Sequence, residues 1–384
     1  MIVHFIIDEK VSAQIIDNFG RDRENNSFLV FSQVEELSHL KGYEDRVLIF
    51  HYDKENINQV LSQWNVTGIL THAMHLEYAE AINSLEVKCS LGWYTWGFDI
   101  YALPRIKPNT YALKTEEYLR KAERFLGLRR QVLKSDILRR VLFLFISDKD
   151  RYSILFQAMK KLDFMATYLK EDYDYFKRFY PEYKISFVYS PFSTIDQYLA
   201  GNGSLRVKAG SNNILIGNSN SIESNHLDAF ERIVESRREF GEVYVPLSYG
   251  KDLNYRQRVL SKGKNNLGAQ FKPLMEFMDR SSYLSILQSC SVGIFYHYRQ
   301  QAMGNIIAML YMGSRVYLSK RNPAFLFFSS NNIQVYTLEE DFDTYGSNQL
   351  DESEAESNRK ELNRIFGQEE VYSRIDELLE QLVK

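Results

Sequence analysis

The chain has 384 residues, 45% of them hydrophobic, with a formal net charge of −3 and a pI near 6.2. That length admits two domains of ordinary size, and the hydrophobic content can bury two cores. The charge argues against a general nucleic-acid binder, which carries a marked basic excess. Two cysteines, Cys89 and Cys290, sit in apolar strand-like runs and suit a reducing cytosol rather than a disulfide framework. The opening "MIVHFIIDEK" has no basic leader and reads as a first strand, so no signal peptide is expected. No apolar run approaches the ~18 residues of a membrane-spanning helix.

In chain order, the runs "IVHFII", "FLVF", "VLIFHY", "GILTHAM" and "VKCSLGWYTW" read as strands. Between them "VSAQIIDNF", "SQVEELSHL", "INQVLSQW" and "EYAEAINSL" space their apolar residues as helices do. Strands that are apolar throughout, alternating with helices, predict a parallel, doubly wound sheet covered on both faces. Residues 114–140 carry nine Lys or Arg against four Asp or Glu, with Leu119, Ala122, Leu126, Leu133 and Ile137 near one helical face. They are expected to form a surface helix or helix pair. A sharper expectation is a basic amphipathic surface resting on an anionic membrane. The strands "FMATYL" and "ISFVYSPF" follow. A Gly-, Ser- and Asn-rich stretch near 195–211 then reads as a linker. The alternation restarts with "NILI", a helix through "ESNHLDAFERIVE", then "GEVYVPLSYG", "SVGIFYHY", "SRVYLSK" and "NIQVYTL". The acidic "DFDTYGSNQLDESEAESNRK" reads as a loop, and "VYSRIDELLEQLVK" as a final helix. Two α/β domains are therefore predicted, over residues 1–200 and 205–384, the last helix being free to pack back on the first domain.

In open parallel sheets ligands bind beyond the carboxyl ends of the strands, so the loops there hold the candidates. Gly217, Asn218 and Ser219 follow "NILI". Small residues let the backbone approach a ligand, and the amides of the helix start that follows attract anions. Tyr249, after "VPLS", can stack on a base. The stretch "YHYRQQAMGNIIAMLYMGSRVYL" reads as strand, polar loop, helix, Gly turn and strand. Gly304 and Asn305 lie at that helix start. With Arg299 beside them, the amides there suit a diphosphate. Gln300 and Gln301 can both donate and accept, as sugar hydroxyls and amides require. In the first half, His72 and Asp99 each follow an apolar strand, and either could take a proton from a hydroxyl. His72, His75 and Glu77 gain no further ligand that would make a zinc site. No nucleophile elbow, Walker loop, CxxC pair or HExxH motif is present.

The segments "GNSNSIESNH", "VPLSYG" and "SYLSILQSCSVGIFYHYRQQAMGN" with "SKRNP", and in the first half "TH" at 71–72 and "WGFDIY" at 96–101, together carry a resemblance. The chain resembles the TDP-N-acetylfucosamine:lipid II N-acetylfucosaminyltransferases, glycosyltransferase family 56. It departs from that family's pattern at Phe98, where members have a small residue, and at Ala302-Met303, before Gly304. The resemblance implies a GT-B fold, with two Rossmann-like domains facing across a cleft and no metal or other cofactor. It assigns Asn218, Ser219, Tyr249, Arg299, Gln300, Gln301 and Asn305 to a nucleotide-sugar donor, dTDP- or UDP-linked. It assigns His72 and Asp99 to the side of a polyprenyl-linked acceptor. The expected place is cytoplasmic, peripheral on the inner face of the cell membrane. A nucleotide-sugar epimerase, or a non-catalytic nucleotide-binding protein, could share this architecture.

Overall fold

The computed structural model describes residues 1–145, 150–250 and 252–383. The chain divides into two compact units, each built on one parallel sheet.

The first unit comprises residues 1–106, 131–193 and 369–384. Its strands are β1 (Ile2–Ile6), β2 (Asn26–Phe31), β3 (Val47–Phe50), β4 (Gly68–His72), β5 (Ser90–Tyr94), β6 (Phe164–Thr167) and β7 (Ser186–Tyr189). They lie in the order β3-β2-β1-β4-β5-β6-β7. β1 is buried throughout and pairs on both sides, Val3 lying opposite Ser27 on β2 and Ile69 on β4. One face packs Val3, Phe5, Ile69 and Trp93 against Tyr78 and Phe176. The other packs Ile2, Ile6 and Leu70 against Phe19 and, from the final helix Gln368–Glu380, Val371 and Ile375. Gly68 is needed there, because a Cβ would stand 2.5 Å from Leu382.

The second unit comprises residues 107–130 and 194–368. Its strands are β8 (Asn213–Ile216), β9 (Val243–Pro246), β10 (Phe271–Leu274), β11 (Cys290–Phe295), β12 (Arg315–Leu318) and β13 (Tyr336–Thr337), in the order β10-β9-β8-β11-β12-β13. A single cut between 200 and 205 does not describe this division. Residues 107–130 group with the second unit through Asn225, which accepts from the Ala112 amide, and Asp228, which accepts from the amides of Lys114 and Thr115.

Three local expectations change. "SQVEELSHL" is an irregular loop, because Asp8 accepts from the amides of Ser38, His39 and Leu40 and takes the donors a helix would use. The "loop" 341–360 contains the start of a helix, Glu352–Phe366, closed by a capping box between Asp351 and Glu354. Residues 195–198 of the linker are a short helix opened by a second capping box, Thr194 with Gln197. The 114–140 stretch spans three helices, Leu113–Ala122, Leu126–Lys134 and Asp136–Phe145, in which Leu119 and Leu126 are buried and Ile137 is exposed.

Candidate functional site

Each sheet reverses its winding direction once, between β1 and β4 in the first unit and between β8 and β11 in the second. At such a reversal the loops leaving the two central strands diverge and open a crevice at their carboxyl ends. Residues 217–221 and 296–302 leave β8 and β11 at the second reversal.

There Gln301 joins the two loops. Its Nε2 donates to Asn218 Oδ1 at 2.8 Å and to Ser224 Oγ at 3.2 Å, and lies 3.4 Å from Ser219 Oγ. Gly217 has φ +68°, and a Cβ would stand 2.8 Å from His226 Nε2, so glycine is required on both counts. Gly250 packs the next loop against the backbone of Asn220, whose amide donates to the Tyr249 carbonyl. The Tyr249 ring is 72% exposed and open to stacking.

Helix Met303–Met312 begins behind Ala302, which adopts a left-handed conformation (φ +63°, ψ +20°) and supplies no side-chain cap. The first amides of this helix therefore receive no acceptor from the N-cap side chain, and they carry the positive end of the helix dipole. A non-glycine residue held in that region stores strain, which concentrates at binding sites. Gly304 is exposed and has room for a Cβ, so its backbone rather than its size matters. The Asn305 side chain is turned away from the loops and donates to the Tyr283 hydroxyl at 2.7 Å. Its contribution to the helix mouth is its amide.

Arg299 is half-buried and its Nε is buried without a partner. Gln300 is buried next to it. Glu223, on the loop after β8, feels two opposed effects. Burial pushes its carboxyl up, but the Arg299 charge and the Ser221 hydroxyl bring it below the ordinary carboxylate range. Around them lie buried polar atoms with no partner: His226 Nε2, both ring nitrogens of His297, Gln301 Oε1 and Asn220 Oδ1. Burial lowers the His226 pKa to about 3 and, with the charge of Arg299, holds His297 well below the ordinary histidine value. Both imidazoles are neutral at pH 7, so of these groups Glu223 alone carries charge opposite to Arg299. An unpartnered buried polar atom costs about 1–3 kcal/mol, so several in one place set this region apart from the packed core.

The first unit's reversal holds His72, at the end of β4. His72 is buried, with Nε2 3.1 Å from His4 Nδ1, and His4 Nε2 is 3.0 Å from Asn26 Oδ1. The Asn26 amide nitrogen donates to the Asp22 carbonyl, which leaves its oxygen facing His4. His4 must then donate through Nε2 and accept through Nδ1, and His72 must donate through Nε2. The chain of bonds leaves the His72 Nδ1 lone pair unpartnered. His72 lines a cavity of about 30 Å³, together with Ile7, Glu9, His75, Trp96 and Phe98. Burial, with His4 adjacent, keeps His72 well below the usual histidine pKa, so it is neutral and its lone pair is available.

Asp99 differs from expectation. Its Oδ2 accepts from Trp93 Nε1 at 2.8 Å and the Met74 amide at 3.1 Å. Its Oδ1 accepts from Thr95 Oγ1 at 2.9 Å and from the amides of Ile100 at 3.1 Å and Trp96 at 3.2 Å. Five donors occupy the carboxylate, and no lone pair remains to receive a substrate proton. Asp99 ties the loop after β4 to the end of β5, so it positions His72's surroundings instead of acting on a ligand. Among the described residues, no three or more His, Cys, Asp or Glu come together to hold a metal ion, and His75 and Glu77 add nothing to His72. Sequence reasoning missed Glu223, Ser224, His226, His297 and His4. "SNH" and "YHY" are visible as motifs, but burial without a partner is a property of packing.

Residues 151–366 match the family model described as 4-alpha-L-fucosyltransferase, glycosyl transferase group 56. Among solved structures, the chain is similar to a glycosyltransferase from Rickettsia africae, at 12% identity and a TM-score of 0.62, covering 100% of this chain and 98% of that one. It is similar to the Anabaena HepE protein in complex with UDP, at 11% identity and a TM-score of 0.61, covering 100% of both chains. Sucrose-phosphate synthase from Thermosynechococcus elongatus aligns at 10% identity and a TM-score of 0.62, covering 99% of this chain and 98% of the other. At these identities the likeness shows the fold, which is GT-B.

Proposed function

The chain belongs to glycosyl transferase group 56, and from that membership we propose a specific transfer for this glycosyltransferase. It moves an N-acetylated deoxyamino sugar, of the 4-acetamido-4,6-dideoxygalactose type, from a dTDP- or UDP-sugar to a polyprenyl-diphosphate-linked saccharide, without a metal. It works peripherally on the inner face of the cell membrane, in synthesis of a surface polysaccharide.

One observation carries the donor assignment: an uncapped helix start, an arginine whose Nε has no partner and a cluster of unpartnered buried polar atoms meet where β8 and β11 diverge. In this reading the amides of Met303, Gly304 and Asn305 and the Arg299 guanidinium bind the diphosphate. As the anomeric carbon–oxygen bond breaks, negative charge gathers on the leaving diphosphate, and these groups stabilise it. Gln300 and Gln301 face the sugar, Gly217, Asn218 and Ser219 frame the loop, and Tyr249 stacks on the base. The acceptor hydroxyl gives its proton to His72 Nδ1 while its oxygen forms the new bond to the anomeric carbon. The depressed pKa of His72 keeps it unprotonated at neutral pH, at the expense of base strength.

The test incubates the protein with dTDP- and UDP-linked 4-acetamido-4,6-dideoxygalactose, with and without polyprenyl-diphosphate saccharide. Release of nucleoside diphosphate that depends on the acceptor supports the reading. Turnover of the nucleotide sugar alone, into its epimer, would overturn it.

A further inference from the structure

A groove of about 530 Å³ on the second unit lies outside the site described above. Lys114, Tyr118 and Lys121 of helix Leu113–Ala122 line one side, and Arg258, Lys262 and Asn266 of helix Leu253–Leu267 the other. Two carboxylates also line it, Glu117 and Glu231, and Glu231 pairs with Lys114 at 3.1 Å. Lys121, Arg258 and Lys262 form no ion pair among the described residues.

The second helix explains why this is not an ordinary solvated face. Helix Leu253–Leu267 carries Arg256, Arg258, Lys262 and Lys264 and no Asp or Glu. Arg258 and Lys262 are four residues apart, so their like charges stand one above the other and destabilise the helix slightly. Surface helices usually intersperse acids to relieve this, and here none does. An anion in the groove would relieve it. Tyr118 forms a half-buried floor, its ring 5.6 Å from that of buried Tyr255, and offers a hydroxyl beside the cations.

Helix Leu113–Ala122, which supplies five of the lining residues, begins with an exposed apolar side chain and is followed by another. Leu113, its first residue, is 68% exposed, and Phe125, three residues beyond Ala122, is 67% exposed. A soluble phosphate has no use for these. Cations in a groove, with exposed apolar side chains at the start of one lining helix and just past its end, match the anionic headgroup and acyl boundary of a lipid leaflet.

We propose that this groove is the headgroup site of an anionic phospholipid, with Leu113 and Phe125 entering the bilayer interface. The proposal rests on the reading of this enzyme as one that works on a bilayer-held acceptor, and it names the surface that holds it there. It predicts binding that depends on anionic lipid, that weakens with salt, and that is separable from nucleotide binding.

The experiment measures flotation of the full chain with vesicles of phosphatidylcholine alone, and of phosphatidylcholine with about one third phosphatidylglycerol. The chain is expected to float with the anionic vesicles and not with the neutral ones. The double variant Arg258→Glu/Lys262→Glu should lose at least about tenfold in affinity, at ~1 kcal/mol per basic residue near such a surface. The neutral pair Arg258→Gln/Lys262→Gln should lose less, and Leu113→Ser/Phe125→Ser should weaken binding to the same vesicles. Melting temperature and dTDP affinity, measured on each variant, should not change. Unaltered flotation of the charge-reversed variant would overturn the proposal. So would equal binding to neutral vesicles, or binding that appears only when a polyprenyl diphosphate is added. A chain that floats as predicted but binds no nucleotide would leave this inference standing and remove the donor assignment instead.

Discussion

At the scale of single residues, the two histidines and the carboxylate of the first unit separate by what their lone pairs already do. Asp99 has spent its acceptor capacity on five donors, whereas His72 keeps one nitrogen unpartnered because His4 and Asn26 fix its other proton. His72→Ala should therefore lower kcat by about 10²–10⁴-fold, the usual range for a general base, with dTDP affinity unchanged. Steady-state kinetics with calorimetry on the same preparation checks this; a loss of nucleotide affinity equal to the loss in rate would place His72 elsewhere in the cycle. Asp99→Asn should act chiefly on stability. It turns one acceptor oxygen toward donors as an NH2 group, and about 1–3 kcal/mol should appear as a lower Tm. A normal Tm with kcat reduced as far as in His72→Ala would restore Asp99 as the base. Both positions were legible as candidates, since each follows an apolar strand. Their roles were not, because hydrogen-bond saturation arises from Trp93, Thr95 and Met74 folding round the carboxylate, which no spacing reveals.

At the scale of elements, the helix Met303–Met312 and the loop after β8 depend on two backbone conformations. Ala302 sits at φ +63°, where a Cβ is strained by about 1 kcal/mol, and Gly217 at φ +68° with His226 against it. Ala302→Gly should raise stability by up to about 1 kcal/mol without weakening nucleotide binding, because it releases strain and leaves the helix-start amides in place. Gly217→Ala should do the reverse, costing about 1–3 kcal/mol from strain and contact and displacing the loop that Gln301 holds. Denaturant unfolding of both variants decides; stabilisation by Gly217→Ala would contradict the geometry. The strands were readable because buried parallel strands are apolar throughout, and that pattern survives without context. β10, "FKPL", escaped because Pro273 reads as a strand breaker; it is tolerated here since β10 is an edge strand paired only with β9. "SQVEELSHL" was misread for the opposite reason. Its apolar spacing is helical, but Asp8, thirty residues earlier in the chain, captures its amides.

At the scale of the whole molecule, buried neutral histidines link stability to pH. Burial lowers the His226 pKa to about 3 and, partly offset by the bond to Asn26, the His4 pKa to about 4, from an ordinary 6.5. His72 and His297 are shifted the same way. Between those values and 6.5 the unfolded chain binds protons that the folded chain does not, so stability is fully present above 6.5 and falls as pH drops toward 3–4. Tm should decline steadily from pH 7 to pH 4.5, with the loss reduced in His226→Gln; a flat profile would mean these rings are not held neutral. Two units and parallel sheets could be anticipated from patterning. The return of the last helix to the first unit was allowed for, and Val371 and Ile375 carry it, but the grouping of 107–130 with the second unit could not be anticipated, because it depends on Asn225 and Asp228 finding partners distant in the chain.

The central claim is that the start of helix Met303–Met312, with Arg299, grips a nucleoside diphosphate. Calorimetry with dTDP and UDP on the wild-type chain and on Arg299→Ala tests it most directly. The account predicts binding of one of the two by the wild type and a loss of about 1.5–3 kcal/mol in the variant, as for a hydrogen bond to a charged group. Equal affinity in the two proteins, with the fold intact, would contradict it.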